Sequence, residues 1–379
     1  MRTVAIVGTG VAGATAALTL RAEGFDGRVI LIGDEPVAPY RRPALSKDLL
    51  RGTVSPAKVR LQPHEVWWGS RIELRRGCMV VGVDPGQHTL GLDDGTEIGY
   101  DQLLLATGSR PRQLWQDVDG VHTLRTMADA ERLRATLVPD ARLVIIGAGL
   151  VGLEVAATAR SLGCAVAVLE AEGTPLARAV PASVGEVFVD LHRSRGVDLC
   201  TGVRVDQVER AGDALVVSCT DGRWWVADVV LVAAGTTPNT ALADFAGVRV
   251  DDGIVVDAFG RTNASDVFAA GDVANLPNLV LGGRHRIEHW RHAGAHGAAV
   301  ARAMLGERVP YRTVPQTWSD QFGVSLRVFG WPGDGDVTVH GAPEELDFAA
   351  VVRRGGSVVG GVGVRGPAAV RTPRLRSVR

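Results

Sequence analysis

Two glycine-rich stretches carry the clearest chemistry in this chain, VGTGVAG at residues 7–13 and IGAGLVGLE at residues 146–154. Each has the GxGxxG spacing, in Gly8, Gly10 and Gly13 and again in Gly147, Gly149 and Gly152. Such a turn brings backbone N–H groups against a dinucleotide pyrophosphate at a helix N-terminus, where the peptide dipoles favour an anion. An acid stands about 20 residues past the last glycine of each, where the fingerprint binds a ribose hydroxyl. These acids are Asp34, with Glu35 beside it, and Glu170. The second stretch also ends in a carboxylate, Glu154, which the pyrophosphate does not explain. A lone glycine motif is weak, because tight turns use the same residues. Two copies in matching surroundings are strong, and a chain holding two dinucleotides passes electrons between them.

The elements that position these residues repeat as well. Residues 4–34 read as strand, glycine turn, helix and the strand RVILIGD; residues 143–170 read the same way and end in AVAVLE. LLLATGSRP at 103–111 is echoed by VLVAAGTTP at 230–238, each an apolar strand and glycine turn that closes its βαβ unit. Before each closing strand lies an insert of alternating apolar and polar residues. The first, residues 71–103, turns at DPG and DDG and predicts a β-meander; residues 197–230 are its equivalent. After residue 310 short strands with a hairpin signal at RRGGS replace the pattern. The expected fold is α/β, two Rossmann-like dinucleotide-binding domains plus a small α+β C-terminal domain. Its segments are residues 1–110 and 240–307, residues 111–239, and residues 308–379.

A chain of 379 residues is too long for one ordinary core. Its formal net charge of −1 leaves no global basic field to recruit nucleic acid or an anionic membrane. No apolar run is long enough to span a bilayer, and the N-terminal apolar stretch lies on the first glycine fingerprint rather than on a signal peptide. The four cysteines, Cys78, Cys164, Cys200 and Cys219, form no CxxC pair. That spacing argues against an iron–sulfur cluster, a structural zinc site or a redox pair close in sequence and fits a reducing, cytoplasmic setting. His285, His289, His292 and His296 crowd into RHRIEHWRHAGAH, the last three on one helical face. Such spacing can ligate zinc, but no cysteine or HExxH pattern completes a set, and no metal is expected. Lys47 and Lys58 are the only lysines among 41 basic residues.

Six motifs then point to a family: RRPALSK at 41–47, ATGSRPR at 106–112, GAGLVGLEVAATA at 147–159, TNASDVFAAGD at 262–272, RIEHW at 286–290 and WSDQFG at 318–323. In order and spacing the chain resembles, over roughly its first 330 residues, the FAD-dependent, NADH-using ferredoxin reductases that serve cytochrome P450 and Rieske oxygenases. These are the putidaredoxin reductase-like members of the pyridine nucleotide–disulfide reductase superfamily. The resemblance implies a glutathione-reductase-like fold with FAD on the first unit and NADH on the second. Gly8, Gly10 and Gly13 would wrap the FAD pyrophosphate, and Asp34, or Glu35, its ribose. Asp272 would accept a hydrogen bond from the ribityl chain, the plain alternative being a turn or cap residue. Further cofactor contacts fall on Arg42, Val80, Ala106, Thr107, Gly108, Arg125, Gly235, Glu288, His289 and Trp290. Gly147, Gly149, Gly152 and Glu170 would bind NADH, and the acids Glu170 and Glu172 disfavour the 2′-phosphate of NADPH.

The resemblance also assigns the catalytic pair. Lys47 would lie beside the isoalloxazine ring, where a cation stabilises charge on the reduced flavin, aided by the helix that begins near Trp290. Glu154 would face the nicotinamide carboxamide and pair with Lys47; its plain alternative is an exposed carboxylate on a helix's first turns. The superfamily's disulfide reductases carry cysteines in the stretch matching residues 38–50, and this chain has none there. Electrons are therefore expected to leave the flavin directly for a small acidic iron–sulfur ferredoxin that feeds an oxygenase. That partner would dock where FAD and C-terminal domains meet, near RIEHW and TWSDQFG, steered by Arg353, Arg354, Arg365, Arg371, Arg374, Arg376 and Arg379. The other reading is an NADH-responsive FAD signalling protein of the apoptosis-inducing-factor type. A monomer or weak homodimer is expected, without nucleic-acid or membrane partners.

Overall fold

The computed structural model describes residues 2–333 and 335–366. The chain opens with β1 (Thr3–Val7), α1 (Val11–Ala22) and β2 (Arg28–Gly33), continues to β3 (Ile72–Arg76) and closes its first pass with β4 (Gln102–Leu105). The same succession recurs as β5 (Arg142–Ile146), α2 (Leu150–Ser161) and β6 (Ala165–Leu169). It is extended by α3 (Ala182–Ser194) and β7 (Val197–Cys200) and closed by β8 (Val229–Val232). Then come β9 (Val267–Ala269) and α4 (Trp290–Met304). Five more strands end the described chain: β10 (Gln316–Gln321), β11 (Val324–Gly330), β12 (Asp336–Ala342), β13 (Asp347–Arg354) and β14 (Ser357–Arg365).

The first sheet is wholly parallel in the order β9-β4-β1-β2-β3. The second, also parallel, runs β7-β6-β5-β8 and ends on the short strand Val121–His122. Strands covered on both faces must be apolar at every position, and Val4, Ala5 and Ile6 or Leu143, Val144 and Ile145 are buried without alternation. The inserts do alternate. Only part of each folds as a three-stranded meander, Val80–Asp84 with Thr89–Leu92 and Glu97–Gly99, then Val205–Ala211 with Ala214–Cys219 and Trp224–Ala227. The first strand of each insert, β3 or β7, instead pairs parallel in the nucleotide-unit sheet. The C-terminal sheet is antiparallel in the order β10-β11-β14-β13-β12. Its hairpin between β13 and β14 turns at Gly355 and Gly356, both with positive φ, as RRGGS predicts. A 3₁₀ turn at Pro343–Glu345 is the only helical piece among its described residues.

Two compact units result. One holds residues up to Ala44, 54–110 and 236–315; the other holds 45–53, 111–235 and the described residues from 316 onward. Residues 45–53, assigned by sequence to the first domain, and the C-terminal sheet, assigned to a third, thus both group with the second nucleotide unit. The reason is a shared core: Leu50, Leu153 and Ala156 of α2, and Leu326, Val328 and Val364 of the sheet belong to one buried apolar cluster.

Candidate functional site

Each glycine turn is built by the same device. The Gly8 N–H donates to Ile32 O at 2.7 Å and the Gly147 N–H to Leu169 O at 2.8 Å, tying the turn to the neighbouring strand. Gly8 and Gly147 have φ of +116° and +107°, and a Cβ there would lie 2.1 Å from Ala106 O or 2.6 Å from Ala233 O. Only glycine fits. A Cβ on Gly10 or Gly149, by contrast, would meet nothing within 4 Å. These two residues cap α1 and α2 without any side-chain hydrogen bond, so the first helical N–H groups face that open side. Both turns fit a pyrophosphate.

The acids behind them are held differently. In the second unit the Ala148 N–H donates to Glu170 Oε2 at 2.6 Å and the Glu172 N–H to Glu170 Oε1 at 2.9 Å, which sets the carboxylate against the turn. Glu170 follows the strand pair Ile146–Leu169 directly, whereas the residue that follows the equivalent pair Val7–Ile32 is Gly33. Asp34 comes one residue later and is exposed. Glu35 is the acid drawn inward, by the Tyr40 hydroxyl at 2.6 Å and Arg42 at 2.8 Å.

Glu154 is buried, at 5% exposure. It lies four residues before Thr158 and therefore on the same face of α2. Both side chains grip the segment 46–47 within the same unit. Thr158 Oγ1 donates to Ser46 O at 2.8 Å, and Glu154 Oε2 takes the Ser46 hydroxyl at 2.5 Å and the Lys47 ammonium at 2.6 Å. Its other oxygen accepts from Ser319 Oγ of β10 at 2.6 Å. A carboxylate out of water needs such partners. This geometry removes the plain alternative of an exposed, helix-dipole carboxylate.

In the first unit Thr107 and Gly108 are locked to Asn239. Thr107 Oγ1 donates to Asn239 O at 2.7 Å, Asn239 Nδ2 to Thr107 O at 2.9 Å and the Asn239 N–H to Gly108 O at 2.9 Å. Ala106 and Val80 are buried in that unit's cores. Glu288, exposed, pairs with Arg286 and accepts from Thr236. His289 is the residue before α4, which begins at Trp290. Asp272 sits half-buried in the 3₁₀ turn Gly271–Val273. In the second unit Arg125 precedes the capping box of the helix Met127–Thr136, its backbone N–H bonded to Asp129, and Gly235 turns with φ of +97°.

The four histidines divide. His285 bonds to Gly282 O, whereas His292 and His296 are buried beside Tyr311. His292 Nδ1 meets the Tyr311 hydroxyl at 3.1 Å, and His296 Nδ1 accepts the Gly271 N–H at 3.3 Å, supporting the turn that carries Asp272. Burial holds His292 down at about 4 and His296 well below the ordinary imidazole range. No group of three His, Cys, Asp or Glu able to hold a metal occurs among the described residues. Burial raises the thiols of Cys164, Cys200 and Cys219, which suppresses the reactive thiolate.

Comparison with known proteins gives the family. Residues 2–297 match the pyridine nucleotide-disulphide oxidoreductase family and residues 316–375 the reductase C-terminal family. The chain is 39% identical over 353 residues to the ferredoxin–NAD(+) reductase component of the p-cumate 2,3-dioxygenase system of Pseudomonas putida, spanning 92% of this chain and 86% of that one. It is 41% identical over 339 residues to the corresponding component of the anthranilate 1,2-dioxygenase system of Burkholderia cepacia, spanning 88% and 83%. Against a chain of the covalent putidaredoxin reductase–putidaredoxin complex the TM-score is 0.92 at 35% identity, covering 97% of this chain and 90% of that one. The chain belongs to the ferredoxin reductases of the pyridine nucleotide-disulphide oxidoreductase family.

Several residues that hold the site in this reductase carry no role in the sequence motifs, although Ser46 lies within RRPALSK and Ser319 within WSDQFG. Ser46, Ser319 and Asn239 bond directly to Glu154 or to the Thr107–Gly108 turn, and Tyr40 bonds to Glu35. One signal was present in the sequence. WSDQ places Ser319 and Gln321 two apart on a strand whose alternation turns both toward the core. Polar residues at core positions mark a constraint other than packing.

Proposed function

We propose that this reductase oxidises NADH and reduces two molecules of a ferredoxin, one electron each, in support of a Rieske-type or cytochrome P450 oxygenase. FAD and NADH are its cofactors. When bound, FAD supplies the conversion from two-electron hydride acceptance to one-electron delivery. The observation that carries the reading is the pair of uncapped helix starts, one on each glycine turn. Gly8, Gly10 and Gly13 hold the FAD pyrophosphate with Asp34 or Glu35 near its ribose, and Asp272 and the start of α4 serve the flavin. Gly147, Gly149 and Gly152 hold NADH, Glu170 takes its adenosine ribose, and Glu154 receives the carboxamide while Lys47 supports charge on the reduced flavin. A thiol relay has no support here, since no cysteine lies within residues 38–50.

Glu170, with Glu172 beside it, makes NADH the preferred donor: a 2′-phosphate would meet a carboxylate already fixed on the turn. Comparing kcat/KM for NADH and NADPH tests this, and equal values defeat it. The whole reading is tested by anaerobic mixing of the FAD-loaded protein with NADH, followed by a small iron–sulfur ferredoxin. Bleaching of the flavin by NADH and rapid recovery on adding ferredoxin are expected; a bleached state that ferredoxin leaves untouched points to signalling instead. The reading extends to a cytoplasmic monomer or weak homodimer, to be checked by sedimentation. No helix among the described residues is long and apolar enough to cross a membrane.

A further inference from the structure

Strand β10 departs from the rule that builds the rest of its sheet. Ser319 and Gln321 share its inner face and are 0% and 1% exposed. Opposite them on β11 stand Leu326 and Val324, equally buried and apolar. A hydroxyl and a carboxamide in such a layer are costly unless their polar atoms find partners. They do so in a line. His192 Nε2 of α3 lies 2.8 Å from Gln321 Oε1, Gln321 Nε2 donates to Ser319 Oγ at 3.0 Å, and Ser319 Oγ donates to Glu154 Oε1 at 2.6 Å.

The terminal group sets the direction of the whole line. A carboxylate only accepts, so the Ser319 proton points to Glu154. The hydroxyl is then free to accept from the amide NH₂, and the amide carbonyl is left to face His192, which must donate from Nε2. His192 is fully buried, edge-on to Phe322 at 5.0 Å, and its Nδ1 makes no hydrogen bond among the described residues. Burial lowers its proton affinity to about 4, consistent with a neutral imidazole that donates once. Glu154 Oε2 is meanwhile held by Ser46 and Lys47.

We infer that Ser319, Gln321 and His192 are positioning residues for NADH oxidation, a one-way chain of donors that fixes the Glu154 carboxylate against the nicotinamide carboxamide. None of them touches the reacting atoms. The inference rests on the reading that Glu154 faces the nicotinamide, and it gives the C-terminal sheet a part in the chemistry of the NADH unit. A carboxylate released from one of its donors can rotate, and small misplacements at a reacting centre are costly in rate.

The test compares Ser319→Ala with Ser319→Thr in FAD-loaded protein by single-turnover reduction with NADH. Alanine loses the hydroxyl and threonine keeps it on a strand that suits β-branching. The alanine variant is expected to slow flavin reduction roughly tenfold, the scale of one lost hydrogen bond to a charged group, with threonine near wild type. Alanine as fast as wild type, or threonine as slow as alanine, overturns the chain. A measurement on the unaltered protein stands apart from folding of the variants: ¹⁵N NMR of its histidines must show His192 as the Nε2–H tautomer at neutral pH. The Nδ1–H tautomer would reverse the Gln321 amide and overturn the proposal. Glu154→Gln in the same assay separates the two readings. Undiminished reduction there defeats the nicotinamide role itself, whereas slow Glu154→Gln beside fast Ser319→Ala defeats only the donor chain.

Discussion

Lys47 and Glu154 form an ion pair whose side chains are 17% and 6% exposed. Removing one member of such a pair leaves the other charge uncompensated, whereas replacing both with neutral groups of similar shape is far less costly. Lys47→Ala is therefore expected to destabilise the protein by about 3 kcal/mol, and the double change Lys47→Met with Glu154→Gln by clearly less. Denaturant unfolding of the single and double variants checks this, and equal losses would show that the pair is not coupled. Both variants are expected to slow reduction by NADH. The buried histidines make a second residue-scale prediction. Burial holds His192 and His292 at about 4 against an ordinary 6.5. Between those values the unfolded chain binds protons that the folded one refuses, so stability rises with pH there and is lost as pH falls from 6.5 toward 4. Each contributes up to about 1.4 kcal/mol per pH unit within that window. Urea midpoints between pH 7 and 5 should fall, and less steeply in His192→Phe; equal slopes would mean that His192 titrates as if exposed.

At the scale of the element, the two βαβ turns separate packing from binding cleanly. Gly8→Ala places a methyl group 2.1 Å from Ala106 O at a φ that disfavours a side chain, so loss of folded protein or of FAD is expected. Gly149→Ala is different, because its φ of −76° is ordinary and its Cβ meets nothing. Thermal stability should be unchanged while NADH affinity falls by roughly tenfold or more, since the methyl group occupies the side where the backbone receives the pyrophosphate. Calorimetric titration with NADH reads this directly, and wild-type affinity would move the nucleotide off the turn. The same contrast explains why α1 and α4 carry small residues: a Cβ on Gly297 would meet Ala12 O at 2.2 Å, so the helices approach through glycine and alanine.

For the molecule as a whole, near-neutral net charge hides a local excess of arginine late in the chain. Arg353 and Arg354 are exposed on β13 beside the hairpin turn and Arg365 is half-buried on β14, while Arg371, Arg374, Arg376 and Arg379 lie outside the described residues. If these groups steer an acidic ferredoxin, the apparent KM for ferredoxin should rise with ionic strength, and neutralising Arg353 and Arg354 should flatten that rise. A KM insensitive to both places the docking face elsewhere.

How far the sequence alone reaches follows from what each motif depends on. The glycine spacings, the apolar strands and the alternating inserts express local geometry, so the two βαβ units, their meanders and the RRGGS hairpin are legible without coordinates. Lys47 and Glu154 are named by family motifs, yet they are 107 positions apart by their numbering, and no periodicity brings them together. Their pairing depends on Glu154 and Thr158 facing residues 46–47, a tertiary fact that also moves residues 45–53 into the second unit. Register decides the acids. One strand position separates Glu170 from the place of Asp34, which leaves Asp34 exposed and brings Glu35 to Tyr40 and Arg42. The buried line from His192 to Glu154 joins three separate stretches of chain. Only packing creates it, because a hydrogen bond between residues distant in sequence leaves no trace in composition or spacing.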